Sequence, residues 1–65
     1  MHYILPHDSN KWQLELYNLV GQKFLSEKAI ENEGTLNVNN VPAGIYQLRY
    51  FEGSYSRSTL ISIIH

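Results

Sequence analysis

Three adjacent residues near the start of the chain carry the side chains of a hydrolytic triad: His7, Asp8 and Ser9. In a working triad, the nucleophile, the base and the carboxylate that orients the base converge from separate backbone positions. Consecutive residues cannot converge in this way, and residues 6–10 are rich in types that favour turns. We therefore predict a turn here and no catalytic residue. No other constellation in the sequence would make the chain an enzyme.

The candidate metal ligands are equally dispersed. His2, His7 and His65 could meet only if the first and last strands pair near their ends, and no pattern of supporting carboxylates indicates zinc. Residues 31–34, Glu-Asn-Glu-Gly, contain only a fragment of a calcium loop. The chain also lacks a glycine-rich phosphate-binding loop. We expect exposed histidines, no metal and no cofactor.

Aromatic side chains leave one ligand-binding alternative open. A row of aromatic rings on a sheet can bind sugars or single-stranded bases, with arginines beside it. A chain of 65 residues needs most of its aromatic residues for its core. We expect Tyr17 and Phe51 to be exposed. The full set is Tyr3, Trp12, Tyr17, Phe24, Tyr46, Tyr50, Phe51 and Tyr55.

The composition limits the classes of protein to which the chain can belong. Its length allows one domain, residues 1–65, and an apolar fraction of 43% excludes disorder. The formal net charge of -1 argues against a general nucleic-acid or anionic-membrane binder. No apolar run approaches the roughly 20 residues of a membrane helix, and the first residues do not resemble a signal peptide. No cysteine is present, so no disulfide bond can stabilise the fold.

Alternating apolar and polar residues predict short β-strands along most of the chain. Trp12, Leu14 and Leu16 should share one face of the second strand. In the third strand, the adjacent Phe24 and Leu25 indicate a bulge or a change of face, and a helix over residues 26–32 is the alternative. The predicted strands cover residues 2–5, 11–19, 22–30, 35–39, 45–51 and 54–64. A turn at residues 18–21 is expected to place Gly21 in a left-handed conformation.

The hairpin near the C-terminus is predicted from its turn residues. Glu52-Gly53 separates two strand patterns by two residues. With that turn, Tyr50 lies opposite Tyr55 and Phe51 lies opposite Ser54.

The most informative stretch is the one that leads into the fifth strand. Pro42 fixes its own φ, Gly44 can take a conformation that few residues tolerate, and Tyr46 follows at the start of the strand. In immunoglobulin-like sandwiches a tyrosine at such a corner donates a hydrogen bond to upstream backbone. We therefore predict an all-β fold, a small immunoglobulin-like antiparallel β-sandwich of about six strands.

The C-terminal run is apolar on both faces. Leu60, Ile61, Ile63 and Ile64 require either a central strand or a covering surface. If the strand lies at an edge of its sheet, it is a candidate surface for a partner or for dimerisation.

Several segments together resemble a known family. In residues 14–23, LELYNLVGQK, a strand is followed by Tyr-Asn, two further residues and Gly-Gln. The family has a similar segment, with Tyr-Asn or Tyr-Asp after the strand and Gly-Gln or Gly-Arg two residues later. Residues 35–46 are similar to its strand followed by a Leu/Val-x-Ala-Gly-Val/Ile-Tyr corner. Residues 3–6 resemble its strand ending in Leu-Pro, and residues 54–65 its closing strand. The family is the type A C-terminal sorting domain of the type IX secretion system of the Bacteroidota.

The resemblance implies a tail on a larger secreted cargo protein. Such a tail passes through the periplasm, crosses the outer membrane with its cargo and is recognised by the type IX secretion machinery. A sortase-like peptidase then commonly removes it, and the cargo remains at the cell surface or in the extracellular space. The domain is a substrate of this system, not an enzyme.

We choose candidate site residues from the turns and from the C-terminal run. Gly21, Pro42, Gly44 and Tyr46 would determine the recognised shape, and Leu60, Ile61, Ile63 and Ile64 would form the partner surface. Two features differ from the family. Its opening strand with Pro-Asn-Pro is missing here, so we expect a trimmed or shortened domain, and the last strand lacks the usual lysines. The cleavage site would precede Met1.

A different class of function remains as the alternative. A fibronectin-like accessory module of a secreted enzyme or adhesin could bind carbohydrate or protein through Tyr17, Arg49 and Phe51.

Overall fold

The computed structural model describes residues 1–65, and all of its regular secondary structure is β-strand. The strands are β1 (His2–Ile4), β2 (Trp12–Tyr17), β3 (Lys23–Ala29), β4 (Glu33–Thr35), β5 (Gly44–Glu52) and β6 (Tyr55–Ile63). The predicted all-β class is confirmed. The alternative of a helix over residues 26–32 is wrong, because β3 pairs with β2 as far as Ala29 and its backbone groups are bonded in that ladder.

The strands form two antiparallel sheets. The larger sheet has the order β3-β2-β5-β6, and the smaller one pairs β1 with β4. Strands β2 and β5 are therefore central, while β3 and β6 form the two edges of the larger sheet. Each central strand has neighbours on both sides, so its hydrogen-bonding groups are used within the sheet.

The core lies on one face of the larger sheet, which we call the inner face. Trp12, Leu14 and Leu16 of β2 are buried there, as the alternation predicts, together with Tyr46 and Leu48 of β5. The β1–β4 sheet and the loops around it cover this face with Leu5, Leu36 and Val41. Ala29 and Ile63 complete the buried set. The result is a small sandwich with a single hydrophobic core.

The fourth strand differs from its predicted position. The expected strand at residues 35–39 is wrong, since β4 ends at Thr35. Leu36 still exchanges two backbone hydrogen bonds with Met1, at 2.6 and 2.8 Å, but residues 37–39 have no strand beside them. The alternating burial that is typical of a strand nevertheless continues in this segment. Leu36 is buried, Val38 packs against the core and Asn37 is exposed.

A bulge interrupts the pairing of β2 with β3. Leu16 pairs with Leu25, and Tyr17 pairs with Lys23, so Phe24 is an extra residue on β3. The two adjacent apolar residues therefore mark a bulge, which was one of the two structures expected there. Such an extra residue bends its strand and redirects its side chain.

The register of the C-terminal hairpin also differs from the prediction. Glu52 pairs with Tyr55, so the turn consists of Gly53-Ser54 rather than Glu52-Gly53. Gly53 has a φ of +56°. A two-residue turn of type II′ needs glycine at its first central position. Gly53 takes that position, so Glu52 is the last residue of β5 and pairs in the ladder. Tyr50 consequently lies opposite Arg57, and Phe51 lies opposite Ser56.

Candidate functional site

A tyrosine corner joins the loop before β5 to the core. The Tyr46 hydroxyl donates a hydrogen bond of 2.6 Å to the backbone carbonyl of Pro42, and Tyr46 is only 5% exposed. This bond to upstream backbone is the one that the spacing of Pro42, Gly44 and Tyr46 predicts. The ring fills the core while its hydroxyl group holds the loop, so one side chain fixes the path of the chain into β5.

Gly44 allows the backbone to pass beside that ring. Its φ is +157°, at the border of the positive-φ region that side chains disfavour. A Cβ atom at this position would lie 3.7 Å from Cε2 of Tyr46. A single β-carbon would therefore fit, and the backbone angle is the main reason for glycine. A branched side chain would add atoms close to the ring.

The turn between β2 and β3 is organised by Asn18. Its side-chain oxygen accepts hydrogen bonds from the backbone amides of Val20, at 3.0 Å, and Gln22, at 2.9 Å. Its backbone carbonyl accepts a bond of 3.1 Å from Gly21. Gly21 has a φ of +87°, as predicted for the left-handed position. Asn18 was absent from our candidate site residues, although its tendency to bond backbone two residues onward was a usable signal.

The bulged Phe24 brings this turn and the tyrosine corner together. Its ring meets the Tyr46 ring edge-on, with centroids 5.5 Å apart and planes at 87°. An arrangement of this kind favours an aromatic pair beyond the area that it buries. The strand that follows the Asn18 turn thus touches the tyrosine corner in the folded domain.

The C-terminal run borders the same corner. Ile63 pairs with Gly44, and Ile61 pairs with Tyr46, along the edge strand β6. Successive side chains of the strand point to opposite faces, so the four predicted residues differ in exposure. Leu60 and Ile64 are 66% and 84% exposed. Ile61 is half-buried and Ile63 belongs to the core, so of the four residues only Leu60 and Ile64 are well exposed.

Exposed apolar side chains concentrate at this end of the larger sheet. We call it the corner end: residues 18–21, Phe24, residues 41–46 and residues 60–64. Of the eight large hydrophobic residues that are exposed, six lie here, and only Ile4 and Ile30 lie elsewhere. The six are Leu19, Val20, Phe24, Ile45, Leu60 and Ile64. Such a concentration is typical of an interaction surface.

The three histidines lie apart. The Nε2 atom of His65 lies 2.6 Å from the backbone carbonyl of Val41, which ties the last residue to the corner end. His2 is 3.2 Å from Glu33, and His7 is 3.5 Å from Glu52. No group of three or more histidine or acidic side chains is placed to hold a metal ion.

The residues of the apparent triad also form no catalytic arrangement. Ser9 donates a hydrogen bond of 3.0 Å to Oε1 of Glu52, and His7 approaches the other oxygen of the same carboxylate. Serine and histidine thus share an acidic partner rather than bonding to each other. The largest surface cleft, about 460 Å³, lies nearby and is lined by residues 8–10 and 30–32.

The outer face of the larger sheet, opposite the core, brings together the residues of the alternative hypothesis. The expectation that Tyr17 and Phe51 are exposed is wrong, because both are half-buried among their neighbours on this face. The Tyr17 hydroxyl donates a bond of 2.7 Å to Glu15, whose carboxylate also lies 3.7 Å from Arg49. The Arg49 guanidinium lies 4.6 Å from the centre of the Phe51 ring. The hydrogen bond to Glu15 raises the pKa of the Tyr17 phenol, because only the protonated form can donate it. Glu15 was not predicted, and only its outward register beside Arg49 could have indicated it.

Comparison with known proteins gives one family match. The sequence model described as "Secretion system C-terminal sorting domain" matches residues 3–64. No curated protein and no solved structure matches the chain. The structure has no helix with the length and apolar character required to cross a membrane.

Proposed function

This chain belongs to the family of secretion system C-terminal sorting domains, and on that basis we propose how it serves as a type IX sorting signal. The domain would be carried at the C-terminal end of a larger cargo protein. It would direct that cargo from the periplasm across the outer membrane, to the cell surface or the extracellular space. We propose no enzymatic activity for the domain itself.

The concentration of exposed apolar side chains at the corner end is the observation that carries this proposal. A domain of this size has few apolar residues to spare, and leaving six of the larger ones in water weakens its own stability. An exposed cluster on a hydrogen-bonded frame is the surface that a partner protein can recognise. Apart from Phe24, the frame and the cluster are made by the segments that resemble the family.

The two groups of site residues have separate roles in this proposal. Gly21, Pro42, Gly44 and Tyr46 give the corner end its shape, through the positive φ angles and the hydrogen bond of the tyrosine corner. Leu60 and Ile64 would contact the secretion machinery directly. Ile61 and Ile63 would support them from the inner side of β6.

Other steps of the pathway concern groups outside this chain. A sortase-like peptidase would cleave between the cargo and the domain, on the cargo side of Met1. The machinery would therefore need to bind the domain while its connection to the cargo remains accessible. Met1 lines a small cleft together with Ile63 and Ile64, so a partner on the C-terminal run would lie close to that connection and would have to leave it uncovered.

A secretion assay tests the proposal. A periplasm-directed fluorescent reporter is fused before residue 1, expressed in a bacterium with a type IX system and located by cell fractionation. We expect the reporter at the cell surface or in the medium, and we expect it in the periplasm when the machinery is disrupted. Periplasmic retention of a folded fusion in the competent strain would contradict a self-sufficient signal.

A companion fusion separates two reasons for retention. It carries a Pro-Asn-Pro strand before residue 1, taken from a functional sorting domain. Secretion of the companion alone would show that the domain needs an added strand. Retention of both would overturn the proposed function.

The stacked pair of Arg49 and Phe51 favours a second candidate, a carbohydrate-binding accessory module. The Phe51 ring is half-buried, and its stacking with the Arg49 guanidinium group forms a polar and aromatic surface on which a sugar could bind. Glycan-array binding by the isolated chain, abolished by Phe51→Ala, would support that function. The sorting proposal predicts no glycan binding and normal secretion of the Phe51→Ala fusion.

A further inference from the structure

The two edges of the larger sheet differ in how well they are protected from pairing with another strand. The β3 edge carries three charged residues (Lys23, Glu27 and Lys28) and is bent by the bulge at Phe24. Bulges and charges are the usual means by which an edge strand avoids further pairing.

The β6 edge has neither protection over most of its length. All nine residues of β6 pair with β5 in continuous register, without a bulge. Arg57 is its only charged residue, and it contains no proline. A long, regular and weakly charged edge strand offers unpaired backbone groups to another strand.

The C-terminal part of this edge has a self-complementary sequence. Residues 60–64, Leu-Ile-Ser-Ile-Ile, have the same pattern in both directions around Ser62, and Ile64 directly follows the last residue of β6. In an antiparallel pair centred on Ser62, Leu60 lies opposite the partner's Ile64, and Ile61 lies opposite the partner's Ile63. Directly opposite residues share a face, so each apolar side chain meets another one.

A symmetric dimer requires this type of complementarity, because the same patch is used on both copies. We propose that residues 60–64 pair with the same residues of a second copy of this chain, in antiparallel register about Ser62. The two four-stranded sheets would join into one continuous sheet of eight strands. Leu60 and Ile64, which are 66% and 84% exposed, would lose much of their contact with water.

The distribution of charge is compatible with this pairing. Arg57 lies outside the paired segment, so the two copies bring no like charges opposite each other on β6. The formal net charge of -1 also produces little repulsion between copies. By contrast, a partner strand on β3 would meet its alternating charges.

The size of the interface indicates a weak, reversible dimer. If each copy contributes about a tenth of its 4472 Å² surface, the total buried area is roughly 900 Å². That area is below the usual range of stable complexes and is typical of transient ones. The dimer would cover Leu60 and Ile64, so a dimeric domain and one bound to the secretion machinery would exclude each other. The dimer itself does not depend on the sorting role.

Cysteine cross-linking tests the register, and the absence of native cysteine makes the result specific. At the symmetry axis, opposite Cα atoms of antiparallel strands lie about 4.5–5.5 Å apart, which a disulfide can bridge. The purified chain with Ser62→Cys is therefore treated with a mild thiol oxidant at several protein concentrations. The control is Ser58→Cys, an exposed serine on the same strand and the same face.

We expect Ser62→Cys to form covalent dimers at least about tenfold faster than Ser58→Cys, because only position 62 lies opposite itself. Equal rates at both positions would overturn the proposed pairing. Sedimentation of cysteine-free chains provides a second measurement. Ser62→Lys and Ser62→Glu should each be monomeric, and their mixture should associate, whereas Val20→Lys should still dimerise. Failure of the mixture to associate more than either variant alone would contradict the register.

Discussion

The corner end and the opposite end of the larger sheet are both held by specific contacts, but they differ in how far their apolar side chains are exposed. At the opposite end, which we call the hairpin end (residues 6–12 and 52–55), the Trp12 indole donates a bond of 3.0 Å to the carbonyl of His7. The His7 ring lies against that indole, with centroids 4.8 Å apart. Trp12 is only 1% exposed there. At the corner end, Phe24 is 40% exposed beside Tyr46, and five aliphatic neighbours are more exposed still.

This difference shows that the chain can cover a large apolar side chain when a loop folds over it. The loop of residues 6–11 covers Trp12, but no segment performs the same role for Val20, Leu60 or Ile64. Small size alone therefore does not explain the exposed residues at the corner end. The hairpin end contributes stability, whereas the corner end combines a fixed backbone with an uncovered surface.

The largest effect is expected at the hairpin end. Trp12→Ala removes a buried ring and leaves the His7 carbonyl without its partner, which should cost about 3–5 kcal/mol of folding free energy. A chain this small should then be largely unfolded at 37 °C, as urea denaturation and circular dichroism would show. A loss below about 1 kcal/mol would mean that the hairpin end contributes little, and the comparison would fail.

A smaller effect is expected from the backbone of the corner end. Gly44→Val places a branched residue at a φ of +157° and beside the Tyr46 ring, so it should cost about 1–3 kcal/mol. Thermal denaturation measures the change. The control is Ile45→Val at the exposed neighbouring position, which should stay within about 0.5 kcal/mol of the unaltered chain. An unchanged melting temperature for Gly44→Val would show that the corner does not need glycine.

The hydroxyl group of the tyrosine corner should contribute less again. Tyr46→Phe keeps the ring but removes the bond to Pro42, so it should cost about 1 kcal/mol. Tyr55→Phe is the matched control, because the Tyr55 hydroxyl makes no hydrogen bond within the protein. Equal stability of the two variants would contradict a fixing role for the Tyr46 hydroxyl.

The smallest effect concerns the outer face, between the two ends. The pKa of Tyr17 is raised by its hydrogen bond to Glu15, and the pKa of Tyr3 is raised by burial. A folded-state pKa above the unfolded value of about 10 adds stability below that pH, and the gain disappears as the pH rises through the folded pKa. Alkaline spectrophotometric titrations of the unaltered chain and of Tyr17→Phe should differ by one tyrosine that ionises above about pH 10. A difference between the two curves centred at or below about pH 10 would contradict the hydrogen bond to Glu15.

The sequence predicts the local features of both ends because those features depend on neighbouring residues. Alternation assigns the inner face of β2, and the spacing of Pro42, Gly44 and Tyr46 predicts the tyrosine corner. The two adjacent apolar residues Phe24 and Leu25 indicate an irregular strand, although they do not distinguish a bulge from a change of face.

Other features depend on partners that are distant in sequence. β4 ends at Thr35 because residues beyond Leu36 lack a neighbouring strand, which the propensities of residues 35–39 do not reveal. The hairpin register depends on which residue can adopt a positive φ. Gly53 does so at the first position of the turn, and the turn therefore lies one residue later than predicted. Likewise, Val20 and Leu60 share the corner end only because β2 and β6 both pair with β5.

The most direct test of the account compares secretion of two matched reporter fusions, Ile64→Lys and Ile30→Lys. Both residues are exposed, at 84% and 74%, but only Ile64 lies at the corner end. Both variants should keep the melting temperature of the unaltered domain, since each replaces a side chain that is already in water. We predict that Ile64→Lys is retained in the periplasm while Ile30→Lys is secreted normally. Normal secretion of Ile64→Lys, or equal retention of the two folded fusions, would contradict a recognition role for the corner end.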